Sequence, residues 1–149
     1  MALNEGFVGR TYPPSPPYLV GREKVREFAR ALGETNAVFF DIEAARASGH
    51  PDMIAPPTFA IQLSMSAAEA VVMDPELGLD YSRVVHGDQR FVYTRPIAAG
   101  DELVATVTID GIRSAAGNDM LTTRVDIATT ANEHVVTSYS VLVARGSDN

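Results

Sequence analysis

The sequence predicts one α+β domain in which a curved antiparallel sheet wraps round a long apolar helix. Three observations lead to this fold class: short helical segments near the N-terminus, a nearly uncharged helical segment over residues 58–73, and a succession of strand-like segments after it. The chain has 149 residues, of which 46% are hydrophobic and 21% are charged. This length and composition predict a single domain over residues 1–149.

An extended arm and an amphipathic helix are predicted for the first part of the chain. The prolines within residues 13–17 exclude a helix and a central strand, so residues 1–18 are predicted to form an extended Pro-rich arm on the surface. Residues 22–32 follow as a helix, which ends at Gly33. One face of this helix carries its apolar side chains, Val25, Phe28, Ala29 and Leu32.

Two further helices are predicted before the strands begin. Residues 41–48 form a short helix that is capped by Asp41. The helix of residues 58–73 follows two prolines, which suit a first helical turn, and Glu69 is the one charged residue in it. Because this helix is apolar on nearly all sides, it is predicted to be buried.

Strand-like segments rich in Val, Ile, Thr and Tyr fill the second half of the chain, at residues 84–93, 102–110, 119–128 and 134–144. Turn residues such as Gly, Asn and Asp connect them, which predicts hairpins and therefore an antiparallel sheet. Because the helix needs cover and a sheet has one apolar face to offer, the sheet is predicted to wrap the helix. Its free edges predict a dimer with a continued sheet. Strict alternation within residues 102–110 predicts one apolar face, formed by Leu103, Ala105, Val107 and Ile109.

Composition and motifs argue against several classes of partner and cofactor. The 19 acidic and 12 basic side chains give a formal net charge of −7, and basic residues never occur in runs, so no nucleic acid partner is expected. With no cysteine and three scattered histidines, no disulfide and no metal site are predicted. A glycine-rich phosphate loop is absent from the sequence, and no cofactor is expected. The sequence also lacks a secretory leader and a long apolar run, so we expect a cytoplasmic protein without a membrane span.

Four sequence motifs together resemble those of a known family. They are Val-Gly-Arg-Thr-Tyr at 8–12, Ile-Ala-Pro-Pro-Thr-Phe at 54–59, His-Gly-Asp-Gln-Arg-Phe at 86–91 and Arg-Pro-Ile-Ala-Ala-Gly-Asp at 95–101. The chain resembles the MaoC-like (R)-specific enoyl hydratases and (3R)-hydroxyacyl dehydratases, in particular the FAS1-like dehydratase subgroup and the small actinobacterial dehydratase subunits. The resemblance implies a hot-dog fold, an acyl-CoA or acyl-carrier-protein thioester as ligand, and pairing of a catalytic with a degenerate hot dog.

Active members of this family carry the motif Gly-Asp-x-Asn-Pro-(aliphatic)-His in the loop after the first helix. The Asp and His hold the water that adds to, or leaves from, the β-carbon of the acyl thioester. A His-Gly pair at the start of the long helix supplies a backbone N–H to the thioester oxygen. The resemblance therefore directs attention to two places in this chain, the loop after Gly33 and the helix start near Pro56.

This sequence departs from the family pattern at both places. Glu34 stands at the Asp position and Phe39 at the His position, while Pro56 and Pro57 stand where active members have His-Gly. Phenylalanine transfers no protons, and two prolines remove two backbone donors. The resemblance thus implies a subunit with little activity of its own, which needs a catalytic hot-dog partner.

Candidate site residues follow from this resemblance and from the remaining polar side chains. The catalytic candidates are Glu34, Asn36 and His86, and the candidates for substrate binding are Phe39, His50, Pro56, Pro57, Phe59 and Leu63. Two alternatives stay open. One is a homodimeric hydratase or dehydratase that uses Glu34, His50 or His86, and the other is a binding module for acyl thioesters without catalysis. Structural roles are the competing interpretation for Asn36, as a local backbone cap, and for His86, as part of a strand-end His-Gly pair.

Six basic residues could bind the anionic part of the ligand. Phosphates of CoA or an acidic carrier protein would both be attracted by clustered cations. We expect such a patch if the fold gathers six basic residues, namely Arg22, Lys24, Arg26, Arg83, Arg90 and Arg95.

Overall fold

The computed structural model describes residues 2–146, which form three α-helices and one five-stranded sheet. The helices are α1 (Arg22–Ala31), α2 (Ile42–Ala47) and α3 (Ile61–Val72). The strands are β1 (Tyr18–Leu19), β2 (Val84–Tyr93), β3 (Glu102–Ala115), β4 (Asn118–Thr129) and β5 (His134–Ala144). Short 3₁₀ turns lie at Glu5–Phe7, Ala37–Phe39, Pro57–Ala60 and Tyr81–Arg83.

The sheet is antiparallel throughout, with the strand order β1-β3-β4-β5-β2. Strand β3 runs five residues beyond the predicted 102–110, because a bulge between Ile109 and Gly111 restores the pairing with β4 after the glycine. The hairpin turns at Ala116 and Gly117, which both have positive φ, as a tight two-residue turn requires. Strand β2 lies at one end of the order, so its outer side is a sheet edge.

The predicted alternation of β3 is confirmed. Side chains at every second position of β3 and β4 are buried against α3, and their exposed fractions do not exceed 2% at Leu103, Ala105, Val107, Ile109, Leu121, Val125 and Ile127. We name the turn Pro57–Ala60 together with α3 the α3 segment. From the other side, Phe59, Leu63 and Val71 of this segment enter the same core. The predicted antiparallel sheet that wraps an apolar helix is therefore present.

The observed helix differs from the helix predicted over residues 58–73 in two respects. Its first turn is the 3₁₀ turn Pro57–Ala60, and the α-helix proper begins at Ile61. The prediction of burial on nearly all sides is wrong, because Met65 and Met73 are 60% and 70% exposed. One sheet covers one side of a helix, so an apolar face of α3 remains open.

Helix α1 packs on the N-terminal end of the α3 segment. Val25 and Ala29 are fully buried, and Phe28 meets Phe59 edge to face with the ring centroids 5.4 Å apart. Leu32, which was expected on the same apolar face, is 50% exposed because the helix has already ended at Ala31.

The chain before α1 lies along β3 rather than apart from the domain. Leu3 and Phe7 are each only 5% exposed, so their side chains pack into the domain. The amide of Tyr12 donates to the carbonyl of Val107 at 3.0 Å, and the amide of Ser15 donates to that of Ala105 at 2.9 Å. The N-terminal segment thus covers the edge of β3 beyond β1. No helix within residues 2–146 is long and apolar enough to cross a membrane.

Removal of the Phe59 ring tests this packing. We expect Phe59→Ala to lower the free energy of unfolding by about 3–5 kcal/mol, because the loss of a fully buried ring leaves a cavity. The matched change Met65→Ala on the exposed face of α3 should cost at most about 0.5 kcal/mol. Urea denaturation followed by circular dichroism measures both, and equal losses would contradict the placement of Phe59 in the core.

Candidate active site

The loop between α1 and α2 carries two of the predicted catalytic residues, Glu34 and Asn36. Gly33 ends α1 with a positive φ of 75°, and the amide of Glu34 hydrogen-bonds back into the last turn of the helix. The Oδ1 atom of Asn36 accepts a hydrogen bond from the amide of Val38 at 3.2 Å, which caps the turn Ala37–Phe39. Both side chains lie on the surface, and that of Asn36 is engaged by its own backbone.

Phe39, one of the residues predicted to bind substrate, is buried beside an apolar pocket of about 380 Å³. We name this the loop pocket, and its walls are formed by Phe39, Ile54, Ala55, Pro57, Tyr93, Thr94, Arg95 and Pro96. None of these residues is His, Asp or Glu, the usual general acids and bases. The loop pocket can therefore hold an apolar group, but its walls offer no side chain to exchange a proton near neutral pH.

Two short segments pair to form one wall of the loop pocket. The amide of Ala55 donates to the carbonyl of Ile97 at 2.8 Å, and the amide of Ala99 donates to that of Met53, also at 2.8 Å. An isolated bridge between Ile54 and Ala98 lies between these two bonds. The start of α3 is thereby fixed to the loop that leads from β2 to β3.

An ion pair holds the second of these segments in place. The guanidinium of Arg95 donates two hydrogen bonds to Asp101, at 2.8 and 3.0 Å, and another to Glu133. Asp101 also accepts from the amide of Ala98 at 2.8 Å. The hydrogen bonds to Asp101 are the main reason that the pKa of Arg95 is raised above its ordinary value. The motif of residues 95–101 thus acts as a structural clamp.

Two residues at the helix start have no backbone donor. Pro56 is buried and Pro57 lies at the rim of the loop pocket, and neither has an N–H. The carbonyl of Pro57 accepts a hydrogen bond from the hydroxyl of Tyr93. Burial raises the pKa of Tyr93 to about 12, so its hydroxyl remains protonated at neutral pH.

His50 lies next to the loop pocket rather than in it. Its half-buried side chain lines a second cavity, of about 460 Å³, together with Arg95, Asp101 and Glu133. The two cavities share a wall that includes Arg95. The structure therefore brings Phe39, Pro57 and His50 to one region of the molecule.

His86 belongs to a different cavity, a groove of about 430 Å³ between α3 and strands β2, β4 and β5. We name it the helix groove, and its walls are formed by Ser64, Met65, Ser66, Ala68, Glu69, Val72, Met73, Tyr81, His86, Thr123, Ser140 and Leu142. The Nε2 atom of His86 lies 3.0 Å from the carbonyl of Asp88; because a carbonyl only accepts, Nε2 is the donor. The helix groove shares no wall residue with the loop pocket.

The His-Gly pair of β2 also has a geometric role. The pairing of β2 with β5 shifts register between His86 and Asp88. A Cβ atom on Gly87 would lie 3.0 Å from a methyl group of Val143 and 3.3 Å from the carbonyl of Val141. The bulge therefore favours glycine at this position, because a larger residue would have to displace the Val143 side chain by a few tenths of an ångström.

Phe59 and Leu63, two candidates for substrate binding, lie in the core. Their exposed fractions are 0% and 6%. Leu63 also contributes to the wall of a cavity of about 400 Å³ beside the N-terminal segment, whereas Met65, two residues further on, lines the helix groove. Their role in binding stays a prediction, whereas Met65, which is 60% exposed, is open to a ligand in the helix groove.

Sequence reasoning missed the polar floor of the helix groove and the Arg95 clamp. The signal for the floor was available, because alternation along β2 and β5 places the polar residues Gln89 and Ser140 on the side of the sheet that faces α3. For the clamp there was no such signal. Arg95 and Asp101 are joined by a loop without periodicity, and only the fold shows that they pair.

The predicted basic residues do not form one patch. Four of them pair with carboxylates: Arg22 with Asp52, Lys24 with Glu27, Arg26 with Glu23, and Arg95 with Asp101. Arg90 lies over the ring of Tyr139 at 4.2 Å, and Arg83 lines a separate cavity near the β3–β4 hairpin. The expected docking patch for phosphates is therefore not assembled within this chain.

Comparison with known proteins places this architecture. The family model described as the FAS1-like dehydratase domain region matches residues 6–138. A UPF0336 protein of Streptomyces coelicolor is 57% identical over 148 residues, which cover 99% of this chain and 99% of that protein. Similarity of this extent spans the whole fold, including the residues of the loop pocket and of the helix groove.

Two solved structures share the fold. A MaoC-like dehydratase is 35% identical with a TM-score of 0.89, and the match covers 97% of this chain but only 44% of that longer chain. A chain of the C-terminally truncated HadBC (3R-hydroxyacyl-ACP dehydratase) complex of Mycobacterium tuberculosis is 33% identical with a TM-score of 0.82, covering 92% of this chain and 96% of that one. The resemblance to MaoC-like hot-dog dehydratases is thereby confirmed.

Tyrosine titration tests the burial of the loop pocket. The pKa values of Tyr93 and Tyr12 are both raised from 10.0 to about 12, chiefly by burial. Because the folded protein holds these protons more tightly, their contribution to stability is complete below about pH 10 and is lost as the pH rises towards 12. Absorbance near the phenolate band should show two late-forming phenolates, and Tyr93→Phe and Tyr12→Phe should each remove one. An unchanged late amplitude in Tyr93→Phe would contradict the burial of this hydroxyl.

Proposed function

Because the chain belongs to the FAS1-like dehydratase-region family, we propose that it is the acyl-thioester-binding hot-dog subunit of an (R)-specific enoyl hydratase or 3-hydroxyacyl dehydratase. In this role it binds the acyl chain of a CoA or carrier-protein thioester and carries a degenerate catalytic loop. A second hot-dog subunit supplies the Asp and His that hold the reacting water. Substrate binding and proton transfer are thus divided between two chains.

The observation that carries the proposal is the environment of Phe39. Its ring is buried against the apolar loop pocket at the place where the family's histidine acts as a base. The carboxylate of Glu34 lies on the surface of the preceding loop. Loss of a positioned acid or base costs about 10²- to 10⁴-fold in rate, so this chain alone should have little activity.

The edge strand β2 supports the proposed pairing with a second hot dog. Within residues 2–146 it pairs on one side, with β5, and it is ten residues long. Its outer side offers backbone N–H and C=O groups to another strand. Val85 and Val92, which are 42% and 47% exposed, flank this edge on the face away from α3. The similarity to a chain of the HadBC complex also supports a hot-dog partner.

The position of the helix groove supports a path for the acyl chain. The groove borders β2, so a partner strand that pairs with β2 would lie next to it and bring its own helix towards α3. Met65 and Met73 are exposed there, and methionine side chains adapt to flexible apolar ligands. The groove would then become a tunnel, separate from the loop pocket.

Hydration by the purified chain tests the degenerate site. We expect no turnover of crotonyl-CoA or of a longer trans-2-enoyl-CoA beyond the uncatalysed rate, because no acid-base pair faces the loop pocket. Loss of the enoyl absorbance measures the reaction at high protein concentration. If the wild type turns over and Glu34→Ala or His86→Ala abolishes this activity, the proposal fails, and the affected residue identifies the replacement acid or base.

Substitutions on β2 test the proposed partner edge. We expect Val92→Lys to weaken binding of a catalytic hot-dog subunit by about tenfold or more, equivalent to about 1.4 kcal/mol, because a charge at a strand edge opposes pairing. Val8→Lys is the matched control. Val8 is exposed to nearly the same degree, 48%, but it lies at the N-terminal turn and not on β2. Analytical ultracentrifugation of each variant mixed with the catalytic subunit gives the two dissociation constants. Equal weakening by the two variants would argue against the β2 edge.

A further inference from the structure

A polar strip crosses the side of the sheet that faces α3. Strand register places Thr123 opposite Ser140, and Ser140 opposite Gln89, so the strip runs over three neighbouring strands. Thr123 and Ser138 are 2% and 1% exposed. On the same face of β4 the flanking positions hold Leu121 and Val125, so the strip interrupts an otherwise apolar surface.

The strip has a definite hydrogen-bond order. The side-chain amide of Gln89 donates to the hydroxyl of Ser138 at 2.7 Å. The hydroxyl of Ser140 donates its proton to the carbonyl oxygen of Gln89 at 2.6 Å. Since a serine hydroxyl has one proton, Ser140 can only accept from any other group that approaches it.

Two members of the strip, Thr123 and Ser140, form part of the wall of the helix groove. The wall surface of the groove is mainly apolar, with Met65, Val72 and Leu142 among its residues, and polar side chains such as Glu69 and His86 also line it. Hydroxyl groups placed against a purely alkyl ligand would lose their water without a replacement partner, which is unfavourable. The floor of the groove is therefore matched to a ligand that is apolar over most of its length and carries a polar group at one point.

The donor and acceptor pattern narrows the polar group. Ser140 offers lone pairs, whereas the hydroxyl of Thr123 has a proton to donate. A ligand hydroxyl can donate to Ser140 and accept from Thr123 at the same time. A ketone can only accept, and a methylene group can do neither.

We propose that the helix groove selects acyl thioesters whose chain carries a hydroxyl group beyond the β-carbon, with Thr123 and Ser140 as the residues that bind this hydroxyl. This inference rests on the proposed function, because it takes the ligand to be an acyl thioester. It goes beyond that function in naming the kind of acyl chain and the residues that distinguish it.

Calorimetric binding tests the inference on the intact chain. The probes are decanoyl-CoA and a series of hydroxydecanoyl-CoA thioesters in which the hydroxyl moves along the chain beyond the β-carbon. We expect at least one hydroxylated thioester to bind about tenfold more tightly than decanoyl-CoA, because it satisfies two hydrogen-bonding groups. Thr123→Val and Ser140→Ala should each remove this preference, so that each variant binds the hydroxylated and the plain thioester equally.

A matched control separates the groove from general effects on β4. Thr122→Val makes the same change one residue earlier, on the opposite face of the strand, and should keep the preference. If decanoyl-CoA binds as tightly as every hydroxylated thioester, the inference fails while the proposed function stands. If no thioester binds at all, the proposed function and the inference fail together.

Discussion

The sheet covers one side of α3 and leaves the other open. Phe59, Leu63 and Val71 fill the space between helix and sheet, whereas Met65 and Met73 remain exposed. The same geometry leaves β2 as an edge strand with unpaired backbone groups directly beside the open face. A second sheet that continues the first would cover both features at once, and the proposed partner follows from this incomplete coverage.

Within the candidate site, apolar contact and proton transfer are separated. The phenyl ring at position 39 offers bulk and apolar contact to the loop pocket, but it has no group that transfers a proton. The Arg95 clamp meanwhile preserves the shape of the loop pocket through Asp101 and Glu133. A pocket that is maintained structurally without its acid-base pair is what we expect of a subunit that binds for a catalytic partner.

Local periodicity is the part of this fold that the sequence reveals. The alternation of Leu103 and its neighbours predicts a half-buried strand because each side chain's face depends only on its position along β3. The exposed side of α3 could not be predicted, because Met65 and a core leucine have the same hydropathic signature. Apolar residues of the core and of an exposed helix face differ only in whether another element packs against them.

The candidate site divides in a similar way. The identities of Glu34 and Phe39 at the family's catalytic positions can be read from the sequence, and they predict the missing chemistry. The separation of His86 from the loop pocket and the cap made by Asn36 depend on contacts between or within loops, which have no period. Thr123 looked like an ordinary strand residue, since threonine favours strands whether or not it contacts a ligand.

Reconstitution with a catalytic partner tests the central claim most directly. The chain is mixed with a hot-dog subunit from the same genome that carries the Asp and His pair, and hydration of a long trans-2-enoyl-CoA is followed for each protein and for the mixture. We expect the mixture to exceed this chain alone by about 10²-fold or more, and replacement of the partner's His by Ala to abolish the gain. Equal turnover by this chain alone and by the mixture would contradict the division of binding and catalysis.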